Sequence, residues 1–421
     1  MYSSDKIYAE KADAKDVLAE FQQEFHKPKN SSGETYLYLC GNSLGLQPKQ
    51  TEAYIKQELQ DWANLGVEGH FHAKNPWKPY HESLAIPMAK IVGAKPSEVV
   101  IMNSLTVNLH LMMVSFYQPT SSRYKIVVES DAFPSDRYAV ASQIKMHGYH
   151  PDEAIIWWKP REGEELCRIE DLEKIMIEHG ESIALLMIGN TNYYTGQLYP
   201  IERITKLGHR YGAKVGFDLA HGAGNIYPDL HESGPDFAVW CTYKYLNSGP
   251  GSLGGCFVHE RHAKSPELPR MSGWWGHDKT TRFNMRHDFS PIPGAEGWQL
   301  SNPVILSMAA VKSSLDVFER ADFKRIREKS VHITGYLEYL LKEMNSKSLR
   351  IITPENQEER GTQLSIQIKD ADNQMAKILL DNGIIADWRE PDVIRLAPVP
   401  LYNSYKEVYE LVEKLKTIVK K

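Results

Sequence analysis

The chain has 421 residues, 42% of them hydrophobic, which is enough for a large core and more than one domain. Its formal charge of -5 is spread over interspersed acids and bases, without the basic footprint of a nucleic-acid binder or the polybasic run of a membrane-surface protein, so a small-molecule partner is favoured. Apolar runs such as Ile183 to Ile188 fall far short of the roughly 20 residues a membrane helix needs. The polar, charged start lacks a signal-peptide core, so a cytoplasmic protein with no membrane partner is expected.

Residues 1–60 are read as an N-terminal segment that packs with the last domain. From about Val99 to Val258, short apolar runs alternate with amphipathic stretches, the pattern of βα units around a mainly parallel sheet. The candidate strands are EVVIM, KIVVES, AIIWW, IALLMIG, AKVGFDLA, FAVWCTY and GGCFVHE, with helical patterns such as IEDLEKIMIEH and IERITKLGHRYG between them. An open sheet of this kind binds ligands outside the carboxyl ends of its strands, and residues 61–300 are assigned to this large domain. Beyond Pro291 and Pro293 the apolar spacing becomes three and four, which predicts a long helical region over Val304 to Met344. LRIIT, QLSIQI, a helix near Asn373 to Leu380, GIIADW, VIRLAPVP and a terminal helix from Tyr405 complete a smaller α+β domain, residues 301–421.

Some motifs point away from chemistry. Gly249, Gly251 and Gly254 spell GxGxxG, but a dinucleotide turn leads into a helix, and CFVHE after it reads as a strand. His70 and His72 have no third metal ligand at a recognisable spacing, and no metal is expected. Cys40, Cys167, Cys241 and Cys256 are scattered and read as free thiols.

VGFDLAHGAGN is more informative, because an apolar strand ends in Asp218 and small residues follow. Alone, Asp218 reads as well as a helix cap or turn former as it does as a site carboxylate. Lys244, in WCTYKYLNSGPGSLGG, ends the next strand and so brings an amine to the same rim. An amine and a carboxylate facing one cleft suit pyridoxal phosphate: the lysine holds the aldehyde as a Schiff base, and the acid favours the charged ring nitrogen. Ser104, Leu105 and Thr106 open a helix-like run where N–H groups and hydroxyls can converge on a phosphate, although a bare helix cap reads the same. Phe133 could cover the ring, with Asp136 behind it, although FPSD is equally a turn.

Read together, LCGNSLGLQP, SLTVN, DAFPSD, YYTGQ, VGFDLAHGAGN, CTYKYLNSGPGSLGG, GWWGH, LSNP and IRLAPVPLYNS resemble kynureninases in the same order over nearly the whole chain. The resemblance implies an aminotransferase class V-like, fold-type I pyridoxal-phosphate enzyme with a large mainly parallel α/β domain and a smaller α+β domain. It also implies a homodimer with shared active sites. The implied reaction is hydrolysis of L-kynurenine to anthranilate and L-alanine, and of 3-hydroxykynurenine to 3-hydroxyanthranilate and alanine, within tryptophan breakdown or NAD synthesis. Carried over by position, Lys244 is the Schiff-base lysine and Asp218 the partner of the ring nitrogen. Leu105 and Thr106 hold the phosphate, Phe133 stacks on the ring, Asp136 supports it and His221 lies beside it. Tyr243, Trp274 and Asn302 complete the cofactor shell, the last two reaching in from the partner subunit.

By the same matching, Arg395 grips the substrate's α-carboxylate, and Ser43, His70 and Asn302 meet its aromatic side. Tyr243 is given a proton to relay, its pKa brought down by the phosphate. Gly189 departs from the pattern, leaving a cofactor hydrogen bond absent or supplied by Asn190. The alternatives are a cysteine desulfurase-like or aminotransferase activity on the same fold, or a binding protein without turnover.

Overall fold

The structure is a computed structural model that describes residues 2–265 and 268–419. Its strands, in chain order, are β1 (Leu37–Tyr38), β2 (Val99–Met102), β3 (Lys125–Glu129), β4 (Ile155–Trp158), β5 (Ile183–Gly189), β6 (Lys214–Asp218), β7 (Phe237–Cys241), β8 (Gly254–Val258), β9 (Leu349–Ile351), β10 (Leu364–Ile368), β11 (Ile384–Ile385), β12 (Asp387–Arg389) and β13 (Val393–Leu396). Seven of them form the main sheet in the order β2-β8-β7-β6-β5-β3-β4. Pairing is parallel from β4 to β7. Only β8 runs against its neighbours β7 and β2. All the other strands of this sheet therefore end at one rim. The strand interiors are apolar because helices cover both faces, as parallel sheets require, and the charged residues fall at the ends of β3 and β6. Two buried clusters, one including Phe217, Trp240 and Ile188 and the other Val128, Met187 and Val239, lie on the two sides.

The GxGxxG segment joins β7 to β8 and leads into no helix, so it is a turn between antiparallel neighbours. The long helical region divides into Ile305–Ala321 and Phe323–Glu343, broken at Asp322, whose φ is 63°. The first of these helices packs on the Thr51–Leu65 and Tyr80–Val92 helices beside the main sheet. The second faces a four-stranded antiparallel sheet of order β12-β13-β10-β9, with a core of Ile333, Leu337, Ile366 and Leu411. The amino-terminal residues join this second unit: β1 pairs parallel with β11, and Asp13 accepts the N–H groups of Tyr405 and Lys406. That carboxylate neutralises the amino end of the last helix.

Candidate active site

Five strand ends converge on one cavity of about 240 Å³. The connection after β2 contributes Leu105 and Thr106; β3 and the turn after it contribute Glu129, Phe133, Ser135 and Asp136. From β5 come Gly189, Thr191 and Tyr193; from β6, Asp218 and His221; and from the turn after β7, Tyr243 and Lys244. Eight of the expected site residues, with Gly189 among their neighbours, thus line one cavity. A wider cleft of about 1150 Å³ lies elsewhere, lined by Arg168, Arg203, Arg350 and several glutamates. No lysine is among the residues that line it, whereas Lys244 lines the smaller cavity together with the buried carboxyls of Asp136 and Asp218.

Lys244 Nζ lies 3.1 Å from His221 Nε2 and 5.8 Å from the centre of the Phe133 ring. Burial, reinforced by the charge of Lys244, holds the His221 imidazole well below its usual pKa, so the ammonium donates and the neutral ring accepts. Asp218 takes the Ala220 N–H at 2.6 Å. Burial raises both Asp218 and Asp136, and Asp136 rises further because the Asp218 charge stands beside it. The two carboxyls titrate as a pair in which Asp136 is raised the further, while Lys244 and the Ala220 N–H favour the charged form of Asp218. Asp136 Oδ1 is buried and has no partner among the described residues.

Thr106 and Ser135 hydroxyls meet at 2.9 Å beside the amino end of the Leu105–Phe116 helix, where free N–H groups and the helix dipole favour an anion. Phe133 is 45% exposed and packs edge-on against Tyr193, leaving a ring face open at the cavity mouth. The donor set fits pyridoxal phosphate: an amine, an aromatic face, an anion cradle and a buried carboxyl pair with an orphan oxygen.

Burial first and Cys241 second hold the Tyr243 phenol above its usual pKa, the starting point from which a bound phosphate would lower it. One expectation changes. The place beyond Gly189 is filled by Glu129, not Asn190. Glu129 Oε1 accepts the Gly189 N–H at 2.9 Å, and a Cβ on Gly189 would stand 2.6 Å from that oxygen. Asn190 turns away, toward Tyr199 and Thr191. Sequence reasoning missed Glu129, whose only signal was an acid closing an apolar strand.

Arg395 is 1% exposed on β13 and donates to the Tyr193 carbonyl at 2.7 Å. Tyr193 links it to the Lys244 cavity. Ser43 stands with Arg395, at 3.1 Å, and not with His70 and Asn302. His70 sits on the Gly69–His72 turn of helix, against the Val67 carbonyl and the Trp77 ring. Trp274, 43% exposed, donates to the Arg282 carbonyl, and Asn302 is exposed. None of these last three residues lines the Lys244 cavity of its own chain.

Residues 326–415 match the family described as Kynureninase C-terminal domain. A kynureninase of Myxococcus xanthus (strain DK1622) is 54% identical over 415 residues, covering 99% of this chain and 97% of that protein. The fold is also that of an Escherichia coli cysteine desulfurase, CsdA, with a TM-score of 0.76 at 16% identity over 96% of this chain and 98% of the other. It matches as well a C-DES mutant described with glycine covalently linked to its PLP cofactor, with a TM-score of 0.76 at 14% identity over 90% and 96%. These two likenesses carry the fold-type I architecture, and the identity to the Myxococcus protein carries the family. The chain belongs to the kynureninase family.

Proposed function

We propose that the protein is a pyridoxal-phosphate enzyme that hydrolyses L-kynurenine to anthranilate and L-alanine, and that it also accepts 3-hydroxy-L-kynurenine. The reaction belongs to tryptophan breakdown and, through 3-hydroxyanthranilate, opens toward NAD synthesis. The observation that carries the reading is Lys244 sharing one buried cavity with the Asp136–Asp218 pair and the open Phe133 ring. When bound, the cofactor supplies an electron-withdrawing ring and an aldehyde.

The chain's own groups do the rest. Thr106, Ser135 and the helix amino end hold the phosphate, and Phe133 covers the ring. Asp218 faces the ring nitrogen, with Lys244 and the Ala220 N–H favouring its charged form and Asp136 the more readily protonated of the pair. Arg395 fixes the substrate carboxylate and thereby the direction of the Cα–H bond. Lys244 Nζ takes the α-proton, with neutral His221 beside it to accept a hydrogen bond from the resulting ammonium. Tyr243 donates from a protonated phenol to groups that gain charge. Desulfuration is disfavoured because no cysteine lines the cavity and burial pushes Cys40 up to about 11 and Cys167 up to about 12, away from the reactive thiolate.

A homodimer is part of the reading. Trp274, Phe283, Val304 and Leu306 are 42–54% exposed, large apolar side chains on the segments that carry Trp274 and Asn302. With His70, these residues would complete the partner's site.

Purified holoenzyme with L-kynurenine is expected to generate anthranilate fluorescence. Lys244→Ala is expected to abolish both that product and the borohydride-sensitive visible band. A band without anthranilate would mark a different activity of the same fold. Turnover of kynurenine with none of its 3-hydroxy form, compared as kcat/KM, would remove the second substrate.

A further inference from the structure

On β12, a period of two puts Asp387 and Arg389 on one face, and Asp387 lies directly opposite Arg395 of β13. One carboxylate oxygen, Asp387 Oδ2, is shared by three donors: Arg395, the Ser43 hydroxyl, and Arg389 Nη2 at 3.0 Å. The exposures are graded, 1% for Arg395, 11% for Asp387 and 35% for Arg389. The Nε atoms of both arginines are buried without a partner among the described residues, so each guanidinium keeps a free donor beside the shared carboxylate. Two guanidinium charges and one carboxylate leave one positive charge, which matches a single incoming carboxylate.

Resting on the reading that Arg395 binds the substrate's α-carboxylate, the geometry points to Asp387 as a stand-in carboxylate that passes between the two arginines. It pairs with Arg395 when no substrate carboxylate is bound, and stays with Arg389 when one takes its place. A buried arginine without a counter-charge is costly, so Asp387 keeps Arg395 oriented between turnovers. Left to itself, the same carboxylate would compete with the substrate for Arg395. Arg389 relieves that competition by holding Asp387 from the solvent side. Arg389 and Asp387 are thus positioning residues that set how much of the carboxylate's binding energy the substrate realises.

The test is steady-state kinetics of the holoenzyme on L-kynurenine. Arg389→Gln is expected to raise KM about tenfold with kcat changed less than twofold, because Asp387 then stays on Arg395. Arg389→Lys, which keeps a cation for Asp387, is expected to restore most of the affinity. The double variant Asp387→Asn/Arg389→Gln is expected to have a lower KM than Arg389→Gln alone, since the competitor is gone. An unchanged KM in Arg389→Gln would overturn the proposal. A double variant no better than Arg389→Gln would also overturn it, because Arg389 would then be binding the substrate itself. Arg395→Lys separates the two readings: an unchanged KM there removes the arginine from carboxylate binding altogether. A raised KM there, beside an unaffected Arg389→Gln, removes only the exchange.

Discussion

Glu129 shows how much a single buried group can report. Its carboxyl is 2% exposed, one oxygen is held by the Gly189 N–H and the other has no partner among the described residues. Burial first, and then the charges of Asp218 and Asp131, push its pKa from 4.5 up to about 8. An acid raised in this way is neutral in the folded protein at pH 7, and the folded state holds a proton that the unfolded state has lost. Stability from this group is therefore full below about pH 4.5 and is lost as pH rises through about 8, a shift equivalent to about 5 kcal/mol between the protonation states. Glu129→Gln keeps the acceptor for Gly189 and removes the titration. Thermal unfolding of the cofactor-free protein should then show a shallower fall in midpoint from pH 5 to 9 than the unmodified chain, with the variant the more stable at pH 9. Parallel curves would mean that Glu129 is not the buried acid. Lys244 and Asp218 were legible in the sequence because an amine and a carboxylate follow two successive apolar strands and read as a pair, although Lys244 lies in the turn beyond β7 and not at its end. Glu129 also closes an apolar strand, but its meaning, like that of Asp387 and Arg389, lies in partners that only the folded sheets bring near.

Elements hold the reacting groups through close backbone contacts. The turn after Cys40 carries Gly45, whose N–H donates to the Tyr243 carbonyl at 2.8 Å. A Cβ at Gly45 would lie 2.3 Å from the Lys244 carbonyl oxygen and 2.8 Å from Asn247 Cα, and backbone cannot swing aside as a side-chain tip can. The LCGNSLG stretch is thus a strap laid across the lysine turn. Gly45→Ala is expected to lower stability by roughly 1–3 kcal/mol and to loosen cofactor retention, because the lysine turn must shift to admit the methyl. A lower unfolding midpoint together with loss of the visible band on dialysis would support this, and a wild-type midpoint would refute it. Strand positions in the main sheet were readable because each is a short apolar run between turn signals. The reversal of β8, and the pairing of β1 with β11 from opposite ends of the chain, were not readable, since no local pattern encodes a distant register.

At the scale of the whole molecule, the site of a single chain is incomplete by the family's pattern. Eight predicted residues share the Lys244 cavity, while His70, Trp274 and Asn302 lie outside it. Trp274 is nonetheless firmly placed: its indole donates to the Arg282 carbonyl, Arg282 stacks 4.1 Å over Trp275 and bonds the Trp275 and His277 carbonyls, and Lys279 ties the segment to Glu82 and Glu296. On the proposed dimer, this tryptophan, held by its own segment and left 43% exposed, would meet the Lys244 cavity of a second copy. A two-fold dimer then makes a quantitative demand. Lys244→Ala and Trp274→Ala homodimers should each be severely impaired. Co-refolded in equal amounts, half of the dimers are mixed, and each mixed dimer regains one intact site, so about a quarter of the wild-type activity should return. If both residues served the cavity of their own chain, every site in the mixture would stay defective and no activity would return. Anthranilate fluorescence after co-refolding, with sedimentation to confirm the dimer, distinguishes the two outcomes.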